Sequence, residues 1–289
     1  MPADLHVHTT SSDARMSGPR QVELAAAAGL SALAITDHNA ITAVPGAQLV
    51  AGRWGVEVIA GAELDANYHE TDTHIVGLFL ELDRPEFVEG FIALQDRFRE
   101  WAREVLGEYH RATGIRVEWE DLYFAGDVPT GGDLVEALQR KGYDGPIANK
   151  GGWGYGPPEA RFVPMPAAPQ EVCDLVHRGG GVAILAHTVE KRADGEPKFV
   201  SLEWNDTSDF REVLDMGIDG WEVWRRAHTP EQIAFLLHWG EKLGLVFAGG
   251  SDEHGPYPPG SPRAGRGGLA PLVPDEAVEA LRARAERYP

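Results

Sequence analysis

The sequence predicts an α/β fold built on a mostly parallel sheet. Three observations lead there. Short β-rich runs recur along the chain, and most are followed by a helical pattern, the alternation expected of a parallel sheet. There are seven such runs, which suits a closed barrel better than an open sheet. The residues best equipped for chemistry sit at the ends of these runs, and parallel α/β barrels place their sites at the carboxyl ends of the strands. The 289 residues accommodate one large domain with an insertion, or two domains. The favoured organisation is one domain over residues 1–289 with an inserted, mainly helical segment at about residues 85–168.

The predicted strands are Leu5–His8, Ala32–Thr36, Val56–Ala60, Ile75–Leu80, Val182–Ala186, Gly220–Trp224 and Leu245–Ala248. A helix is expected from Pro19 to Gly29, because Pro suits a helix start and Gly a helix stop. Another should run from Pro230 to Gly244 with Thr229 as N-cap. His74 stands at the start of its run, against the pattern. A hairpin would reconcile it: a strand over 56–63 turns near Asn67–Asp72 and returns antiparallel, setting His74 beside Glu63. Within the insertion, Phe87, Phe91, Leu94, Phe98 and Trp101 form a core-facing stripe on a helix over Pro85–Tyr109. A second helix should span Thr130–Lys141. The glycine- and proline-rich stretch from Lys150 to Pro158 reads either as a mobile lid or as a long connection.

Bulk properties remove several classes of function. A formal net charge of −19 argues against broad electrostatic binding to nucleic acid or anionic membrane, so no stable duplex binding is expected. An anionic substrate stays open, since bound dications reverse the local field in a cleft. No apolar run is long enough to span a bilayer. The opening residues lack the basic and apolar regions of a signal peptide, which makes a cytoplasmic location the expectation. Cys173 is the single cysteine. It lies in an apolar helical pattern and reads as buried filler, not a nucleophile.

The strongest chemical signal is Asp4-Leu5-His6-Val7-His8-Thr9, followed by Asp13. Residues i and i+2 of a strand share a face, so His6 and His8 can grip one ion or two adjacent ions. Thr36-Asp37-His38-Asn39, Gly61-Ala62-Glu63, Ala186-His187-Thr188 and Gly250-Ser251-Asp252-Glu253-His254 repeat the placement of a ligand type after an apolar run. One zinc needs four ligands. Six histidines and three carboxylates therefore imply more than one ion, with Glu63 or another carboxylate bridging. Mixed imidazole and carboxylate donors suit Mn²⁺, Zn²⁺ or Fe²⁺.

Together these motifs resemble the polymerase-and-histidinol-phosphatase (PHP) family of metal-dependent phosphoesterases. The string Gly217-Ile218-Asp219-Gly220-Trp221-Glu222-Val223-Trp224, with His228-Thr229-Pro230-Glu231-Gln232, is similar to the subgroup that hydrolyses nucleoside 3′,5′-bisphosphates and short oligonucleotides. The resemblance implies a distorted (β/α)7 barrel holding up to three divalent ions. One would take His6, His8, Glu63 and Asp252. A second would share Glu63 and add His74 and His187. A third would take Asp13, His38 and His254. The implied substrate is a small phosphorylated molecule such as a nucleotide or short oligonucleotide. A metabolite phosphatase, a noncatalytic metal-binding domain and an amidohydrolase are the alternatives. The sequence departs from the subgroup at Thr188, where proline is usual, and in a longer loop at 150–160.

Asp37, or a histidine near the cluster, is the candidate to shuttle a proton. Phosphate-binding candidates are Lys150, Arg161, Arg225 and Arg226, with Arg161 preferred in the insertion because arginine grips phosphate with two donors. His228 follows a strand end and is a possible substrate contact. Glu222, inside an apolar strand, should support a cation or a ligand histidine. His69, His110, His177 and His238 read as surface or structural.

Overall fold

The computed structural model describes residues 2–68, 71–149, 155–189, 210–255, 268–270 and 272–288. In chain order the elements are β1 (Ala3–Val7), α1 (Gly18–Ala27), β2 (Ala32–Ile35), α2 (Ala43–Trp54), β3 (Glu57–Tyr68) and β4 (Thr71–Leu78). Next come α3 (Pro85–Thr113), α4 (Gly131–Arg140), the short strands β5 (Ala148–Asn149) and β6 (Tyr155–Gly156), and α5 (Pro169–Arg178). The chain continues with β7 (Val182–Leu185), α6 (Phe210–Asp215), β8 (Gly220–Trp224), α7 (Pro230–Leu243), β9 (Val246–Gly249) and α8 (Asp275–Ala285).

Seven strands form one curled sheet in the order β1-β2-β3-β4-β7-β8-β9. Neighbours are parallel except at β4, which runs antiparallel to both β3 and β7. Its two edges are drawn together beyond β9. Asp252 N donates to His6 O at 2.9 Å and His8 N to Glu253 O at 3.0 Å, joining the chain after β9 to β1. This is the distorted barrel, with the hairpin as its distortion.

Alternation along the strands separates two apolar faces. Leu33 and Ile35 belong to the larger core under the outer helices. Ala32 and Ala34 face a smaller inner core with Leu5, Ile184 and Ala248, which α8 completes through Val278 and Leu281. The stripe Phe87, Phe91, Leu94, Phe98 and Trp101 is buried as expected and joins the larger core. Trp101 Nε1 donates to Val163 O at 2.9 Å, tying α3 to the segment that returns to the barrel. Thr130 and Thr229 cap α4 and α7 by accepting from Asp133 N and Gln232 N. Cys173 is buried in α5, where desolvation pushes its thiol well up.

The hairpin turns where expected but is longer on both sides. Glu63 lies within β3 and His74 within β4, not at strand ends, because pairing continues as far as Tyr68 opposite Thr71. Asp65 stands opposite His74 and Asn67 opposite Asp72. The face that carries Glu63 therefore continues as a polar row beyond the barrel rim.

Candidate metal centre

β1 is buried along its whole length, and its alternation turns His6 and His8 to one side. His6 Nε2 lies 3.1 Å from His8 Nε2 and 3.1 Å from Glu63 Oε2. His8 Nε2 is 3.1 Å from the same Glu63 oxygen and 3.3 Å from Asp252 Oδ1. His6 Nε2 and Asp252 Oδ1 are 3.7 Å apart. Four donors arranged tetrahedrally about one ion at roughly 2.0–2.2 Å would stand roughly 3.3–3.6 Å from each other. The observed separations bracket that spacing. Two imidazole nitrogens and two carboxylate oxygens are packed as closely as the donors of one coordination shell would be.

Glu63 turns its other oxygen to a second group. Its Oε1 is 2.9 Å from His74 Nδ1 and 3.4 Å from His187 Nε2. A third group gathers His8, Asp13, His38 and His254, with His254 Nε2 at 3.1 Å from Asp13 Oδ1. The three ligand sets that the resemblance implies are thus each brought together. His8 borders two of them, and Glu63 stands where a bridging carboxylate would.

The second nitrogen of several rings is fixed by a partner, which selects the nitrogen that faces the centre. His6 Nδ1 donates to Glu222 Oε1 at 2.7 Å. His38 Nδ1 donates to Asp65 Oδ1 at 2.9 Å, and His254 Nδ1 to Asp252 O at 2.8 Å. His74 reverses the usage, donating through Nε2 to Asp72 Oδ2 at 2.9 Å. Burial alone would raise Glu63, but His6, His38, His74 and His187 hold it well below the usual carboxylate range. Burial likewise opposes ionisation of Glu222, yet Arg225 and His6 bring it down to about 2. Desolvation and the nearby Arg225 lower His187 to about 4, whereas His6, His38 and His74, although buried, are raised by the carboxylates they face.

The backbone is also specialised here. Among the described residues, four non-glycine residues have left-handed φ, and three of them are Asn39 (48°), His187 (53°) and Asp252 (56°). Asn, Asp and His are the side chains best tolerated there. The energy stored by such a backbone is typical of sites that need a fixed geometry.

Other expected residues are placed differently. Asp37 is buried, but its carboxylate is turned to the loop after β1 and accepts from Thr9 N at 2.7 Å, Thr9 Oγ1 at 2.7 Å and Ser12 Oγ at 2.6 Å. Its geometry is that of a staple on the segment bearing Asp13. Arg161 is held on α3 by Glu108, with Nη2 at 2.6 Å from Oε1 and Nε at 3.2 Å from Oε2. Its guanidinium is exposed on the face that carries this pair. Arg225 does reach the cluster. It is buried, with Nη1 at 2.8 Å from Glu222 Oε2 and Nη2 at 3.1 Å from Asp252 Oδ2. Arg226 instead donates to the Gly268 and Leu269 carbonyls. His228 is buried with Nδ1 at 2.8 Å from Val223 O, which anchors the loop after β8. Lys150 and His69 lie outside the described residues, as do 151–154 of the glycine-rich loop.

Asp65, Asp72 and Asn39 were not singled out from the sequence. Asp65 and Asp72 follow from the strand period once the hairpin register is known, and Asn39 belongs to the motif that carries His38.

The model of the family described as "PHP domain" matches residues 4–143. The chain is 28% identical over 266 residues to a 5′-3′ exoribonuclease of Haemophilus influenzae, an alignment covering 88% of this chain and 90% of that protein. It is 25% identical over 276 residues to a 3′,5′-nucleoside bisphosphate phosphatase of Chromobacterium violaceum, covering 88% and 87%. Among solved structures, a protein from Bifidobacterium adolescentis, described provisionally as a metal-dependent phosphoesterase, superposes with a TM-score of 0.73 at 23% identity over 98% of both chains. That last likeness concerns the fold.

Proposed function

We propose, on the match of residues 4–143 to the PHP-domain model, that the chain hydrolyses phosphate esters at a centre of two or three divalent ions, with a nucleotide, nucleoside 3′,5′-bisphosphate or short oligonucleotide as substrate. The carrying observation is Glu63. Its two oxygens serve two separate groups of histidines, His6 and His8 on one side, His74 and His187 on the other. A carboxylate so placed has no structural need that one or two hydrogen bonds would not meet. Support for the substrate class comes from relatives named for exoribonuclease and bisphosphate phosphatase activity.

His6, His8, Glu63 and Asp252 would hold one ion, Glu63, His74 and His187 another, and Asp13, His38 and His254, with His8 beside them, a third. Mn²⁺, Zn²⁺ and Fe²⁺ all fit this donor chemistry. Divalent ions supply a nucleophile from water at neutral pH and offset the charge of phosphoryl oxygens. In the hydrolysis, a bond forms between water oxygen and phosphorus, the ester P–O bond breaks, and the alcohol leaves with a proton. The protein's own share is positioning. Glu222, Asp65 and Asp72 accept ring protons and so fix the outward nitrogens of His6, His38 and His74. Arg225 places a permanent positive charge beside Asp252, and its fork suits a phosphoryl oxygen that displaces the carboxylate.

The test is elemental analysis of the purified protein followed by phosphate release from adenosine 3′,5′-bisphosphate, histidinol phosphate and an aryl phosphate. Two or three ions and faster turnover of the bisphosphate are expected. Preference for histidinol phosphate would assign a metabolite phosphatase, and absence of turnover with full metal content would assign a binding domain.

A further inference from the structure

Glu63 and Asp65 occupy the same face of β3, two residues apart, and both address the same two rings. Glu63 meets His38 Nε2 at 3.4 Å and His74 Nδ1 at 2.9 Å. Asp65 Oδ1 meets the opposite nitrogens, His38 Nδ1 at 2.9 Å and His74 Nε2 at 3.5 Å. The four side chains form a closed circuit, Glu63–His38–Asp65–His74, with the ring centroids 5.1 Å apart and the planes at 80°. Glu63 closes it from the inside of the centre and Asp65 from behind.

Asp65 is itself immobilised. Its Oδ2 accepts from Asn39 Nδ2 at 2.6 Å, and its N donates to Asn39 Oδ1 at 3.1 Å. Asn39 is held in turn, because Gln95 of α3 donates to its carbonyl at 3.0 Å. His74 has a private acceptor in Asp72, whereas Asp65 is common to both rings. In the ligand sets above, His38 and His74 serve different ions.

We propose that Asp65 is a positioning residue shared by two metal sites, so that the ion on His38 and the ion on His74 depend on one carboxylate. The proposal rests on the metal-centre reading above. Carboxylates behind ligating imidazoles orient the ring and raise its basicity, and removing one typically weakens metal binding about 10- to 100-fold. Asp65 accepts the Nδ1 proton of His38 and must produce that loss in full at its site, and a smaller one at the site of His74, whose Nε2 proton goes to Asp72. Asp72, which faces His74 alone, must produce it once.

The experiment titrates metal-free protein with Zn²⁺ against a chromogenic chelator and reads the number of ions and the affinity of each, independently of turnover. For Asp65→Asn, the site of His38 should weaken about 10- to 100-fold and the site of His74 measurably but by less, and for Asp72→Asn the site of His74 alone. Asn39→Ala, which frees Asp65 without touching either ring, should reproduce the two-site loss in milder form. It carries the test if Asp65→Asn fails to fold. Weakening of only one site in both Asp65→Asn and Asn39→Ala, or of none, overturns the proposal while leaving the centre intact. Wild-type protein that retains fewer than two ions overturns the metal-centre reading and the proposal together.

Discussion

Glu222 and His6 meet at 2.7 Å, carboxylate to imidazole Nδ1, although 216 residues separate them in sequence. The same carboxylate accepts from Arg225 and from the backbone N of His187 at 2.7 Å. One strand of the second half of the barrel thus sets the ring of the first ligand on β1. Glu222→Gln keeps an acceptor but loses the charge, and should weaken the ion held by His6 about 10- to 100-fold in a chelator competition. Glu222→Ala also strips buried Arg225 of one of its two carboxylates. Thermal or denaturant unfolding should show a loss of about 3–5 kcal/mol, the usual cost of breaking a buried pair.

Glu63→Ala removes both oxygens at once. Metal content should fall by about two ions, and turnover of any phosphate ester should vanish, while circular dichroism still reports the α/β fold. Unchanged stoichiometry would show that the carboxylate bridges nothing.

The third ion separates two roles for Asp37. His38→Ala should lower the metal count by about one ion. If Asp37 acts through the loop that bears Asp13, Asp37→Asn should lower occupancy of the same site and leave the shape of the pH–rate profile unchanged. Loss of one limb of that profile at full metal content would restore Asp37 as the group that moves the proton.

Away from the centre, Asp219 ties β7 and α5 to the C-terminal segment. It accepts from His177 Nε2 at 2.8 Å, Ala183 N at 3.0 Å and Tyr288 OH at 2.8 Å. Burial opposes its charge, but these partners hold it below its ordinary value of 3.8. A depressed folded value contributes stability that is complete above pH 3.8 and is lost as pH falls through the folded value. Melting temperature should therefore drop more between pH 6 and pH 3 in the wild type than in Asp219→Asn. Equal slopes would remove Asp219 from the acid transition.

The sequence made the barrel legible because its strands are short apolar runs with ligands after them, and the period of two set His6 beside His8. Thr229 and Gly244 marked both ends of α7, and the aromatic stripe marked α3. The hairpin was legible in outline. Its full length was not, because Asp65, Asn67 and Asp72 read as loop polarity until cross-strand pairing makes them one face. Arg161 was read from its neighbours in sequence. Its partner Glu108 lies 53 residues away on α3, a pairing that local pattern cannot reveal. The Asp37 carboxylate sits in the right motif, but its direction depends on how the Thr9–Ser12 loop folds back.

The seam between the start of β1 and the chain after β9 bears on how the protein is made. His6 and His8 leave the ribosome well ahead of Asp252 and His254, which follow roughly 250 residues later, on the order of ten to fifty seconds at usual rates of synthesis. Throughout that interval the first ion site lacks a donor and the barrel lacks its closing hydrogen bonds. An ion at that site would therefore find only His6, His8 and Glu63 until Asp252 emerges. The full set of four donors comes late, on a polypeptide whose sheet is already being organised by apolar contacts.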